Sequence, residues 1–127
     1  MKGRKPKIFL VEDNFSYSYV LESILKGSGD YQVTTFSTGE ECIHMLQNKP
    51  DLIILDYNLD GMNGLETIKA IQAKNTEIPV IVLSSQKDVG VASAFLAAGA
   101  FDYIEKKSNG SAMELLTESV KKVFSAQ

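Results

Sequence analysis

Cysteine is nearly absent from this sequence: Cys42 stands alone, so no internal disulfide can form. At helical spacing beside Ile43 and Leu46 it reads as a small buried hydrophobe. Positive charge is also scarce. Thirteen Lys and Arg face sixteen Asp and Glu, leaving a formal charge of −3, which offers no general attraction for nucleic acid or an anionic membrane. No apolar run approaches the roughly 18 to 20 residues that span a bilayer. The basic group Lys2, Arg4, Lys5 and Lys7 is not followed by the apolar segment of a signal peptide. Histidine occurs once, and His44 sits in a helical pattern far from any strand end, as a surface or half-buried residue would. These absences exclude a disulfide scaffold and a membrane span, and they fit a cytoplasmic site.

What remains is ordinary globular composition, 127 residues with 44% hydrophobic and 23% charged. That length suits one domain over 1–127, with a basic tail over about residues 1–6. Lys7 to Val11 is an apolar run of strand type, and Asp13-Asn14 supplies helix-cap chemistry ahead of Val20, Leu21, Ile24 and Leu25. Gly27-Ser28-Gly29 is expected to break that helix before a strand over Tyr31 to Phe36. Thr38 and Glu41 have the spacing of a capping box, and Cys42, Ile43 and Leu46 follow on a helical period. The run LIILD, ending at Asp56, is apolar almost throughout, as in a parallel strand covered on both faces.

The alternation continues. Asp60-Gly61 signals a turn before a helical stripe at Leu65, Ile68, Ala70 and Ile71, and Pro79 opens the strand VIVLSS. An alanine-rich helix over Val89 to Ala98 closes at Gly99, a fifth strand runs from Phe101 to Ile104, and Met113, Leu115, Leu116, Val120 and Val123 mark a last helix. Five strand-helix units predict an α/β fold, a doubly wound, flavodoxin-like (βα)₅ arrangement with a five-stranded parallel sheet of order 2-1-3-4-5 and helices on both faces. Ligands of such a fold bind at the carboxyl ends of the strands, at the switch point between strands one and three.

The strand ends carry Glu12 and Asp13 after the first, Asp56 after the third, Ser84 after the fourth and Lys106 after the fifth. Taken singly, Asp13 could merely cap a helix, Asp56 begin a turn, Ser84 bond to local backbone and Lys106 be solvated. Taken together, three carboxylates meeting in one crevice repel one another unless protons or a cation intervene. Magnesium, which prefers oxygen ligands and keeps water and phosphate, suits Asp13 and Asp56, with the backbone carbonyl of Asn58 as a further oxygen.

These residues resemble the receiver domains of two-component response regulators. The resemblance covers nearly the whole chain and rests on Glu12-Asp13, LIILDYNLDGMNG around Asp56, the LSS containing Ser84, and GAFDYIEK ending at Lys106. It implies that Asp56 is the phosphoacceptor, that Glu12 and Asp13 organise Mg2+, and that Lys106 pairs with the phosphoryl oxygens. Ser84 would donate its hydroxyl to the phosphoryl group, and Tyr103 would change rotamer as that hydroxyl shifts. It further implies a sensor histidine kinase or histidine phosphotransfer protein as donor. The downstream partner or output domain would meet the face of helix 4, strand 5 and helix 5. Activity of its own would be limited to self-phosphorylation from phosphodonors and slow self-hydrolysis.

Two positions depart from the family pattern. Lys107 replaces the proline that commonly follows the lysine in a cis bond, and Asp60 stands where proline is frequent. A non-proline cis bond costs about 2.5 to 4 kcal/mol, so the 106–107 peptide is either trans with a shifted loop or, as expected here, held cis. Phe95 is a core residue or part of an exposed partner patch on an uncharged helix, and Phe15 is a candidate kinase contact. Three rivals differ in kind. A receiver-like interaction module indifferent to phosphate would lack Asp56, Asp13 or Lys106. A haloacid-dehalogenase-type phosphatase would not place its acid pair before the nucleophile. A flavodoxin-type electron carrier would place hydroxyls and amides after the first strand, where carboxylates stand.

Overall fold

A computed structural model describes residues 4–59, 61–75, 77–85, 89–106 and 110–125. Strand β1 (Lys7–Val11) leads to α1 (Phe15–Ser28), β2 (Gln32–Phe36) to α2 (Gly39–His44) and a 3₁₀ turn (Leu46–Asn48), and β3 (Leu52–Asp56) to α3 (Gly64–Lys74). Then come β4 (Val80–Ser84), α4 (Val89–Ala97), β5 (Asp102–Glu105) and α5 (Ser111–Ser125). The strands form one parallel sheet in the order β2-β1-β3-β4-β5, as the alternation predicts.

Period-two alternation divides the core between the two faces of the sheet. Ile8, Leu10, Leu52, Ile54, Ile81 and Leu83 point to one side, where Leu21 and Leu25 of α1 and Leu116, Val120 and Val123 of α5 cover them. Phe9, Val11, Ile53, Leu55, Val80 and Val82 point to the other, under Cys42, Ile68, Ile71 and Phe95 of α2, α3 and α4. Every residue of β3 and β4 is buried, which is why both read as continuous apolar runs. Full burial of each such aliphatic side chain contributes about 1.5 to 3 kcal/mol.

Local chemistry sets the helix starts. The Thr38 and Glu41 capping box is present, each side chain bonded to the other's backbone N–H. A second box, Asn63 with Glu66, opens α3 and was not anticipated from the sequence. The cap of α1 is Asn14, whose side chain accepts from the Tyr17 N–H at 2.9 Å, leaving Asp13 outside the helix and available to the site. Helix α1 ends within Gly27-Ser28-Gly29 as expected: Ser28 is its last residue and Gly29 caps it in extended backbone. Gly99, at φ +105°, ends the α4 segment in a conformation that favours glycine. Phe95 is fully buried, which settles it as core, whereas Val20 and Leu115 of the expected stripes face solvent. The strands start one residue late at β2 and β5, at Gln32 and Asp102. Asp60 and the 106–107 peptide, with its expected cis bond, lie outside the described residues.

Candidate acidic phosphoryl and metal site

Parallel strands end on one edge of the sheet, and the residues just past those ends therefore share a rim. Asp56 is the last residue of the central strand and is only 3% exposed; Glu12, one residue past β1, is 4% exposed. One carboxylate oxygen from each of Glu12, Asp13 and Asp56 lies within 4.8 Å of the others. Lys106 reaches in from the end of β5, its Nζ 2.8 Å from Asp56 Oδ1 and 3.2 Å from Glu12 Oε1. Its backbone is fixed by an N–H bond of 2.7 Å to the carbonyl of Ser84. Glu12 is held by an N–H of 3.1 Å from Asn14 on Oε2 and by its own N–H on the Phe36 carbonyl at 3.0 Å.

The electrostatics follow from burial and crowding. Removal from water raises the Glu12 pKa above the ordinary carboxylate value, and the nearby Asp56 charge raises it further, against the pull of Lys106. Burial likewise raises Asp56, Lys106 opposes this, and Asp13 adds to it. Burial alone would lower the Lys106 pKa, but the hydrogen-bonding and charge of Asp56, then of Glu12, hold it above its ordinary value.

Lys106 ion-pairs with both Asp56 and Glu12. Asp56 Oδ1 is buried, and its partner is the Lys106 ammonium at 2.8 Å, although no donor meets it in aligned hydrogen-bond geometry. A hard cation with oxygen preference fits the carboxylate donor set of Glu12, Asp13 and Asp56. Beside Asp13 a cleft of about 370 Å³ is lined by Tyr57, Asn58, Leu59 and Asn63, so the β3–α3 loop borders the acids. Asn58 is exposed there and its side-chain amide reaches Ser85 Oγ at 3.4 Å.

Ser84 is fully buried at the end of β4, and Tyr103 of β5 is half-buried with its ring 5.7 Å from Phe95. Phe95 in turn meets Tyr57 edge-on at 5.4 Å, so an aromatic chain joins the residue after Asp56 to β5. Sequence gave no sign of this relay or of the Tyr17 ring, whose centroid lies 4.4 Å from Lys106 Nζ. Its only trace was that Tyr17 stands three residues after the cap of α1. His44 is exposed on α2, away from these groups.

The family model described as the response regulator receiver domain matches residues 8–118. The DNA-binding transcriptional regulator NtrC of Escherichia coli (strain K12) is 36% identical over 100 residues, 78% of this chain and 21% of that protein. The chain thus spans about a fifth of the length of such curated relatives. Among solved structures, chemotaxis protein CheY4 of Vibrio cholerae superposes with a TM-score of 0.83 at 26% identity, covering 94% of this chain and 99% of that one. The Mn(2+)-bound form of response regulator Rcp1 does so with a TM-score of 0.79 at 25% identity, covering 91% of each. With the sheet order, the acid cluster and these likenesses in agreement, the chain belongs to the response regulator receiver domain family of two-component systems.

Proposed function

We propose that Asp56 accepts a phosphoryl group from a sensor histidine kinase or a histidine phosphotransfer protein, and that the resulting charge switches the surface read by a downstream partner or output domain. The observation that carries this reading is the buried Asp56 carboxylate at the end of the central strand, ion-paired to Lys106 and clustered with Glu12 and Asp13. A carboxylate oxygen of Asp56 attacks the donor phosphorus, an O–P bond forms, and the bond to the donor's leaving group breaks with its electron pair. Phosphoryl transfer asks the protein mainly for positioning and for positive charge near the equatorial oxygens. Lys106 supplies one such charge. Mg2+, held by Asp13, Asp56 and the Asn58 carbonyl with Glu12 behind them, would supply the rest when bound.

The Ser84 hydroxyl, at the neighbouring strand end, donates to the new phosphoryl oxygens, and Tyr103 answers by changing rotamer against Phe95. Its contact with Phe95 connects that response to α4. Exposed Leu96, Phe101 and Leu115 on α4, ahead of β5 and on α5 support a partner face there. Phe15, 86% exposed in the first turn of α1, is placed to meet the donor protein beside Asp56. No described helix is long and apolar enough to cross a membrane.

The test is direct. With Mg2+ and a small acyl phosphate, the intact protein should gain one phosphate in mass, transiently, and Asp56→Asn should not. A parent protein that gains no phosphate sinks the reading, and a gain that survives in Asp56→Asn moves the site elsewhere.

A further inference from the structure

Lys106 carries out its part only if its flexible four-carbon stem delivers the ammonium to one point, and the two carboxylates cannot fix that point alone. Both would change character in the proposed reaction, Asp56 by becoming an acyl phosphate and Glu12 by sharing a cation. A third contact does not change. The Tyr17 ring lies against Lys106 with 4.4 Å from its centroid to Nζ, within the reach of a cation–π attraction.

Tyr17 is itself held firmly. Its backbone N–H is bonded to the Asn14 cap at 2.9 Å, Asn14 donates to Glu12 Oε2 at 3.1 Å, and the ring packs on the core beneath α1 and α5. The β1–α1 junction therefore presents an aromatic face, the acid that meets Lys106 and the helix cap as one connected frame. A leucine at this position would fill the same core edge but offer no quadrupole to a cation.

We infer that Tyr17 is a positioning residue, whose ring face holds the Lys106 ammonium over Asp56 before and during phosphoryl transfer; this rests on the reading of Asp56 as acceptor. Packing alone is the competing account. It predicts that Tyr17→Leu, which keeps the apolar contact, behaves as the parent protein does, whereas positioning requires the ring and predicts rescue by Tyr17→Phe.

Two measurements on the full chain test this, the first separating the two accounts and the second checking that the ring lies against Lys106. In the first, the rate of phosphate gain from acetyl phosphate is followed across donor concentration by intact mass. Tyr17→Leu should lower the rate at saturating donor by about two- to tenfold, with a smaller change in the half-saturating concentration, and Tyr17→Phe should stay close to the parent. In the second, NMR of the Lys106 ε-methylene protons should show the upfield shift of a ring face in the parent and in Tyr17→Phe, and its loss in Tyr17→Leu. A Tyr17→Leu protein with the parent's saturating rate, or with an unchanged methylene shift, overturns the inference. If the parent gains no phosphate, the Asp56 reading falls and takes the kinetic consequence with it. The shift comparison would still decide whether the Tyr17 ring lies against Lys106.

Discussion

At Asp56 the energetic difficulty is charge. The side chain is almost wholly out of water and shares its space with Glu12 and Asp13, so ionisation of Asp56 and Glu12 is disfavoured. Replacing Asp56 with Asn keeps the shape, removes one of the crowded charges and leaves Lys106 paired with Glu12. Asp56→Asn should therefore melt higher than the parent without Mg2+ and should respond less to added Mg2+; a thermal melt in EDTA and in Mg2+ checks both. Lys106→Ala works in the opposite sense. It strands the acids without their ammonium, which destabilises the metal-free protein by about 1 to 3 kcal/mol, while Mg2+ binding persists because its ligands remain. The rate of phosphate gain should fall on the order of 10²-fold, measured by intact mass against the parent. An unchanged rate would show that Lys106 is not the cation at the phosphoryl group.

The elements that deliver these residues depend on a few close approaches. Gly64 opens α3 so near the end of β3 that an added Cβ would stand 2.9 Å from Tyr57 Cα and 3.0 Å from the Asp56 carbonyl oxygen, both backbone atoms that cannot swing aside. Gly64→Ala should push the β3–α3 loop outward, lower stability by about 1 to 3 kcal/mol and weaken Mg2+ binding at the same time, read by a melt and by a Mg2+ titration. A parent-like Mg2+ affinity in that variant would separate the loop from the metal site. By contrast Thr38→Ala removes only the box that starts α2, with no contact to the carboxylate side chains of the rim, and should lower stability by about 1 kcal/mol with no effect on phosphate gain. The end of α1 was legible, because the glycine and serine of Gly27-Ser28-Gly29 argue for a stop and the helix ends at Ser28. The Asn63 box was visible in spacing but masked by the Asp60-Gly61 turn signal just before it.

For the whole molecule, the fold was legible because nothing in the sequence contradicts it: β3 and β4 are apolar throughout, the helices carry one stripe each, and alternation leaves one sheet order. The rim acids and Lys106 were legible as strand-end residues. Contacts between side chains from different elements, such as Tyr17 with Lys106 and the Tyr57–Phe95–Tyr103 chain, were not, since they depend on rotamers and helix rotation that no local pattern encodes. The same rim should govern how the stability of the entire domain depends on pH. Asp56 and Glu12 both have raised pKa values in the folded state. Between the ordinary carboxylate values and these raised ones, the folded protein holds more protons than the unfolded chain, so stability falls as pH rises through that window. Glu41, fully exposed, is lowered by its bonds from Ser37 and Thr38; it contributes in the opposite sense, at pH below its ordinary value, and weakly. Without Mg2+ the melting temperature should therefore decline from mildly acidic pH towards neutrality. Added Mg2+ competes with those protons, so its stabilisation should grow over the same interval. Melts of the parent and of Asp56→Asn across this range, each with EDTA and with Mg2+, isolate the rim: the parent's decline should be steeper than the variant's, and equal slopes would show that Asp56 does not take up a proton on folding.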